Sequence, residues 1–201
     1  MVSTFARLTA GLVLLPAICA VAQAAEPVRV LDGFDDPSTW RVVTSNQVSG
    51  ALRSIAGVEG KGLCLDYDFN GVSGHAGIQR DLVLEYPQNY QFAFQLRGDS
   101  PRNDLQFKLI DASGDNVWWV NRPKYDFPTA WTPVRYKMRH IDKAWGPDPD
   151  RVLRRSVRLE YTVYNNAGGK GSVSVKYANT DANPRLQQFV DDVLGRHGYL
   201  D

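Results

Sequence analysis

The chain has 201 residues, 43% of them hydrophobic, and its 23 lysines and arginines against 22 aspartates and glutamates leave a formal net charge of +1. Charge this evenly balanced argues against nucleic acid or an anionic membrane surface as partner, since both ask for a basic patch. No run after the N-terminus approaches the roughly 20 apolar residues that span a bilayer, and the length suits one domain with a sizeable core.

Residues 1–24 read as a signal peptide. Arg7 is the only charge, an apolar run extends from Leu8 to Ala22, and the small residues Ala22 and Ala24 flank Gln23 as a signal peptidase requires. Lipidation at Cys19 is not expected, because Ile18 stands where a small residue is needed. A secreted or periplasmic product follows, with Cys64 as its remaining cysteine and hence no intramolecular disulfide.

Residues 25–180 carry period-two patterning with turn signals between the runs. Strands are expected near 28–31, 50–56, 62–69, 76–85, 89–98, 104–111, 116–122, 132–141, 156–165 and 171–178. Leu63, Leu65, Tyr67 and Phe69 fall on one face of their strand and Cys64, Asp66 and Asp68 on the other. Tyr90, Phe92, Phe94 and Leu96 oppose Gln91, Gln95 and Arg97 in the same way, and Leu105, Phe107 and Leu109 oppose Gln106 and Lys108. Turn chemistry at 97–101, 113–115 and 168–171 punctuates the runs, and Pro-rich loops at 121–133 and 145–149 are long enough to cover part of a sheet. Strands without intervening helices predict an all-β, antiparallel jelly-roll β-sandwich. Residues 181–201 change period: Pro184, then Leu186, Phe189, Val190, Val193 and Leu194 predict a short C-terminal amphipathic helix and tail.

The stretch DASGDNVWWVNRP at 111–123 puts two tryptophans beside amide and guanidinium donors. A sugar ring offers an apolar face for an aromatic platform and a rim of hydroxyls for polar groups, so this is the equipment of a carbohydrate-binding surface. Strand alternation aims Trp118 and Trp119 in opposite directions. Trp118 shares its parity with the polar Asn116 and Arg122, which makes it the expected ligand platform, with Trp119 the core anchor. The expected contacts are Trp118, Asn121, Arg122, Tyr125 and Trp145, with Asp66, Gln91, Gln95 and Arg97 as polar partners on a sheet face.

Catalytic patterns are weak. No phosphate loop, metal-binding helix or nucleophile elbow is present, and His75, His140 and His197 are scattered. Asp66 and Asp68 share a strand face about 7 Å apart, a separation that suits neither a retaining nor an inverting carboxylate pair in particular.

The segments LDGFDDPSTW (31–40), KGLCLDYDF (61–69), DLQFKLIDASGDNVWWVNRP (104–123) and TPVRYKMRHIDKAWGP (132–147) resemble the galactose-binding-like β-sandwich of exported bacterial glycosyl hydrolases, also called discoidin or coagulation factor 5/8 type. The resemblance covers about residues 30–175. It implies a module that holds a polysaccharide or oligosaccharide without chemistry of its own, working with a separate glycoside hydrolase. It also raises a structural calcium, with Asp32, Asp35 and Asp36 as oxygen donors; Lys176 and Tyr177 stand where related sandwiches carry an acid, so no cofactor is expected. Two rival readings remain: a jelly-roll polysaccharide lyase or glycosidase, and an envelope protein-interaction or assembly module.

Overall fold

The computed structural model describes residues 29–56 and 60–177. Eleven strands run in the order β1 (Trp40–Thr44), β2 (Ser49–Ala56), β3 (Lys61–Asp68), β4 (His75–Glu85), β5 (Gln91–Asp99), β6 (Asp104–Ile110), β7 (Val117–Arg122), β8 (Thr132–Lys137), β9 (Asp142–Trp145), β10 (Arg155–Tyr164) and β11 (Lys170–Tyr177). They form two antiparallel sheets. One has six strands in the order β1-β4-β10-β6-β7-β9, the other five in the order β2-β3-β11-β5-β8.

Alternation builds the core between them. Leu63, Leu65 and Tyr67 of β3, Phe92, Phe94 and Leu96 of β5, and Leu105, Phe107 and Leu109 of β6 all turn inward as their period-two pattern requires. They interdigitate with Ile78 of β4 and with Leu159, Tyr161 and Val163 of β10. Phe107 is the hub of an aromatic cluster, within 4.9–6.0 Å of the ring centroids of Phe92, Phe94, Tyr136 and Tyr161. Each such fully buried side chain contributes about 1.5–3 kcal/mol through removal of apolar surface from water. Cys64 is a buried free thiol.

Two strand expectations need correction. No strand lies over the described part of 28–31; the first strand is Trp40–Thr44, because Asp32 anchors the incoming segment by accepting from the Trp40 indole N–H (2.6 Å) and the Phe34 amide (2.7 Å). The expected strand 132–141 is two strands in different sheets. Its chain turns through a short 3₁₀ segment at Met138–His140, where the His140 ring nitrogen accepts from the Lys137 amide at 3.2 Å, and crosses from β8 to β9. The signal peptide expected over 1–24 and the helix expected over 181–201 lie outside the described residues. Among the described residues, no helix is long and apolar enough to cross a membrane.

Candidate functional site

Alternation does not leave every outward residue exposed. On the outer face of the six-stranded sheet, Gln106 and Lys108 of β6, Glu160 and Thr162 of β10, and Gln79 of β4 point away from the core, yet all five are buried. Glu160 is 6% exposed and Lys108 8%, values unusual for long charged side chains on an outer face. Strand register explains how they come together. Arg41, Gln79, Glu160, Lys108, Trp119 and Asp142 are successive cross-strand partners, forming one rung over all six strands.

The rung is wired by hydrogen bonds. Glu160 accepts from the Gln79 amide at 2.7 Å, from the Lys108 ammonium at 2.9 Å and from the Thr162 hydroxyl, while Arg41 donates to Gln79 and pairs with Asp81 at 2.8 Å. Burial pushes the Glu160 carboxyl up, but the Lys108 charge and the hydrogen bonds from Thr162, Lys108 and Gln79 outweigh it and hold the group below the usual carboxylate range. His75, at the end of β4, is shifted down by burial and by the Lys108 charge.

At the other end of the rung stands Trp119, half-buried, with the Trp145 ring of edge strand β9 set edge-to-face against it. Trp145 is 48% exposed. Beneath the pair, Val117 and Ile110 are buried but belong to the outer face, so the corner is apolar where the rung is polar. In the adjacent rung Asn121 pairs with Gln106 and Gln106 with Thr162; the Asn121 Oδ1 atom is buried with no hydrogen-bond partner. Gly77 continues that rung, and a Cβ there would lie 2.8 Å from the Tyr161 carbonyl.

The facing expected for the tryptophans is reversed. Trp118 is 4% exposed and packs in the core, its indole N–H donating to the Arg151 carbonyl at 2.8 Å under the 146–154 loop, with the Lys143 ammonium 5.2 Å from the ring. The polar neighbours that pointed to Trp118 are occupied elsewhere. Asn116 is held by Asp111 and Asp148 in the preceding turn, and Arg122 lies at the strand end over the Tyr136 ring at 5.9 Å. Tyr125 packs on Phe127 at the rim of the core. Of the expected contacts, then, Asn121 and Trp145 lie on this face.

Asp66, Gln91, Gln95 and Arg97 belong to the other sheet, on the opposite side of the sandwich. Asp66 is clamped by Arg53 through two bonds of 2.6 and 3.2 Å, and Asp68 accepts from the Asn70 amide. Two of the three aspartates considered for calcium are engaged: Asp32 pairs with Arg80 and accepts from Phe34 and Trp40, and Asp36 accepts from Ser38. Among the described residues there is no group of three or more His, Cys, Asp or Glu arranged to hold a metal.

Two packed antiparallel sheets give the chain the β-sandwich fold of carbohydrate-binding modules. It is similar to the family 11 carbohydrate-binding module of a cellulosomal cellulase of Clostridium thermocellum, with a TM-score of 0.59 and 16% identity over 77% of this chain and 97% of that one. It is similar also to that organism's family 11 module in complex with a β-1,3-1,4-mixed-linked tetrasaccharide, with a TM-score of 0.57 and 17% identity over 74% of this chain and 94% of that one. No protein-family model matches the chain, and no curated protein matches it by sequence.

The tryptophan facing was missed because parity fixes that two neighbours oppose each other without saying which is inside. The Gln79–Glu160–Lys108 rung was missed because its members are far apart in sequence. The alternation of Gln106 and Lys108 against three core residues was its one local trace.

Proposed function

We propose that the protein is an exported, non-catalytic carbohydrate-binding module that holds a neutral polysaccharide across the outer face of its six-stranded sheet. The observation that carries this is the exposed Trp145 ring braced by Trp119 at the end of a buried polar rung. A pyranose stacked on Trp145 would gain about 0.5–1.5 kcal/mol beyond area burial, as aromatic pairs do. The side chain of Asn121, two residues along β7 on the same face as Trp119, would offer a polar partner for its hydroxyls. The hydrogen-bonded rung keeps these contacts in place without reorganisation on binding.

Glu160 orients rather than reacts in this reading. A general acid needs a carboxyl pushed up toward the working pH, and Glu160 is held down. Export to the periplasm or medium, the galactose-binding-like or discoidin-type affiliation and a separate glycoside hydrolase acting on the same polymer rest on the sequence patterns and complete the proposal.

Affinity electrophoresis of the protein through gels containing mixed-linkage β-glucan, xylan or galactan, followed by calorimetry on any polymer that retards it, tests the reading. Retardation that disappears in Trp145→Ala, with reducing ends of the polymer unchanged on incubation, is the expected result. Release of new reducing ends would move the protein to the enzymes; failure of every neutral polymer to bind would end the proposal.

A further inference from the structure

The outer face of the five-stranded sheet carries a second aromatic, Trp131, in a setting unlike that of Trp145. It precedes β8 and lies half-buried beside β5 and β11, with the Arg97 guanidinium carbon 4.8 Å and the Lys176 ammonium 5.1 Å from its ring centroid. Lys176 is only 5% exposed, so its stem is buried along the sheet and its charge is delivered at the ring. Neither cation forms an ion pair with a carboxylate of the described residues. Strand register adds Gln95, the partner of Lys176, and Arg135, which extends the positive charge along β8. Of the acids on this face, Asp66 is taken by Arg53, and Asp99, two residues along β5 from Arg97, is exposed and makes no ion pair with either cation.

Two cations gathered on one indole, neither paired with a carboxylate of the described residues, raise the positive potential at the ring and favour an anion there. We propose that this face is a second glycan site, selective for acidic polysaccharide. The apolar face of a sugar stacks on Trp131, and its carboxylate or sulfate ester pairs with the Arg97 guanidinium, with the buried Lys176 charge adding positive potential beside it. Arg97 suits this role because its planar fork matches either anion with paired hydrogen bonds. The two faces lie on opposite sheets, so this site stands independently of the Trp145 face.

The test is a titration of the full protein, followed by tryptophan fluorescence and calorimetry in low-salt buffer, with polygalacturonate, a sulfated galactan, a neutral galactan and single-stranded DNA. Binding of polygalacturonate or the sulfated galactan is expected, the arm that binds telling carboxylate from sulfate. Arg97→Gln and Trp131→Ala should each weaken it by about tenfold or more, equivalent to about 1.4 kcal/mol. Lys176→Met, which keeps the buried stem, checks the charge if Lys176→Gln unfolds, and Trp131→Phe should restore part of the affinity lost in Trp131→Ala. Trp145→Ala should leave acidic binding unchanged while abolishing any neutral-glycan binding, which separates the two proposals. Absence of binding to either acidic polymer overturns the inference. So does binding that matches single-stranded DNA and is unaffected by Trp131→Ala, because that would be charge attraction alone.

Discussion

The indole rings of Trp119 and Trp145 meet edge to face, 5.5 Å between centroids and 84° between planes, on the outer surface of the six-stranded sheet. Trp118, one residue before Trp119, is sealed in the core by the Arg151 carbonyl and the Lys143 side chain. The pair WW therefore divides its labour by strand parity. One ring stabilises the sandwich, and the other braces an exposed platform.

Trp118→Ala should cost about 3–5 kcal/mol, the range for deleting a large buried aromatic. Trp119→Ala removes a half-buried ring from the outer face and should cost clearly less, while weakening glycan binding because Trp145 loses its support. Urea denaturation and calorimetric titration of both variants check the assignment. Equal destabilisation by the two changes would show that both rings are structural.

Lys108 and Glu160 form the buried ion pair of the rung at 2.9 Å. Lys108→Met leaves a buried carboxylate without its countercharge and should destabilise by about 3–5 kcal/mol. The double change Lys108→Met with Glu160→Leu removes both charges and should be less damaging than the single one. A denaturation cycle on wild type, both singles and the double measures this; a double mutant as unstable as the sum of the singles contradicts it.

Acid should destabilise the protein in two stages. His75 is held below its ordinary value of 6.5 by burial and by Lys108, against the opposing pull of Glu160, so the unfolded chain binds its proton more readily than the fold does. Its contribution is complete above pH 6.5 and is lost as pH falls below that. Glu160 is held below its ordinary 4.5 by Lys108 and its hydrogen bonds against burial, and its share is lost at still lower pH by the same sign. His75→Gln should flatten the first stage of a plot of unfolding free energy against pH and leave the second in place.

Gly146 follows Trp145 with φ of 123°, and a Cβ there would lie 2.6 Å from the Asn116 backbone. Gly146→Ala must shift the turn that carries Trp145, at a backbone cost of about 1–2 kcal/mol. Loss of neutral-glycan affinity with the Trp118 core intact is expected, read as a weakened calorimetric signal alongside a modest drop in thermal midpoint. Unchanged affinity would mean that Trp145 does not depend on this turn for its position.

Sequence alone determined the sandwich. In β3, β5 and β6 the apolar residues recur at every second position, and only one face of a pleated strand can be buried against a partner sheet, so Leu63, Phe94 and Phe107 had to point inward. It also showed that Trp118 and Trp119 oppose each other. Which of them faces out was decided by the tertiary structure, because the choice turns on the loop that brings the Arg151 carbonyl over one indole and on edge strand β9, which brings Trp145 against the other. The same holds for the polar rung. Gln79, Lys108 and Glu160 are separated by dozens of residues, and they meet because β4, β10 and β6 are hydrogen-bonded neighbours in that order, a pairing that local periodicity does not encode. Likewise, alternation put Gln95 and Arg97 on an outward face, but only the order of the sheets places that face opposite Asn121 and Trp145 and sets Trp131 between Arg97 and Lys176.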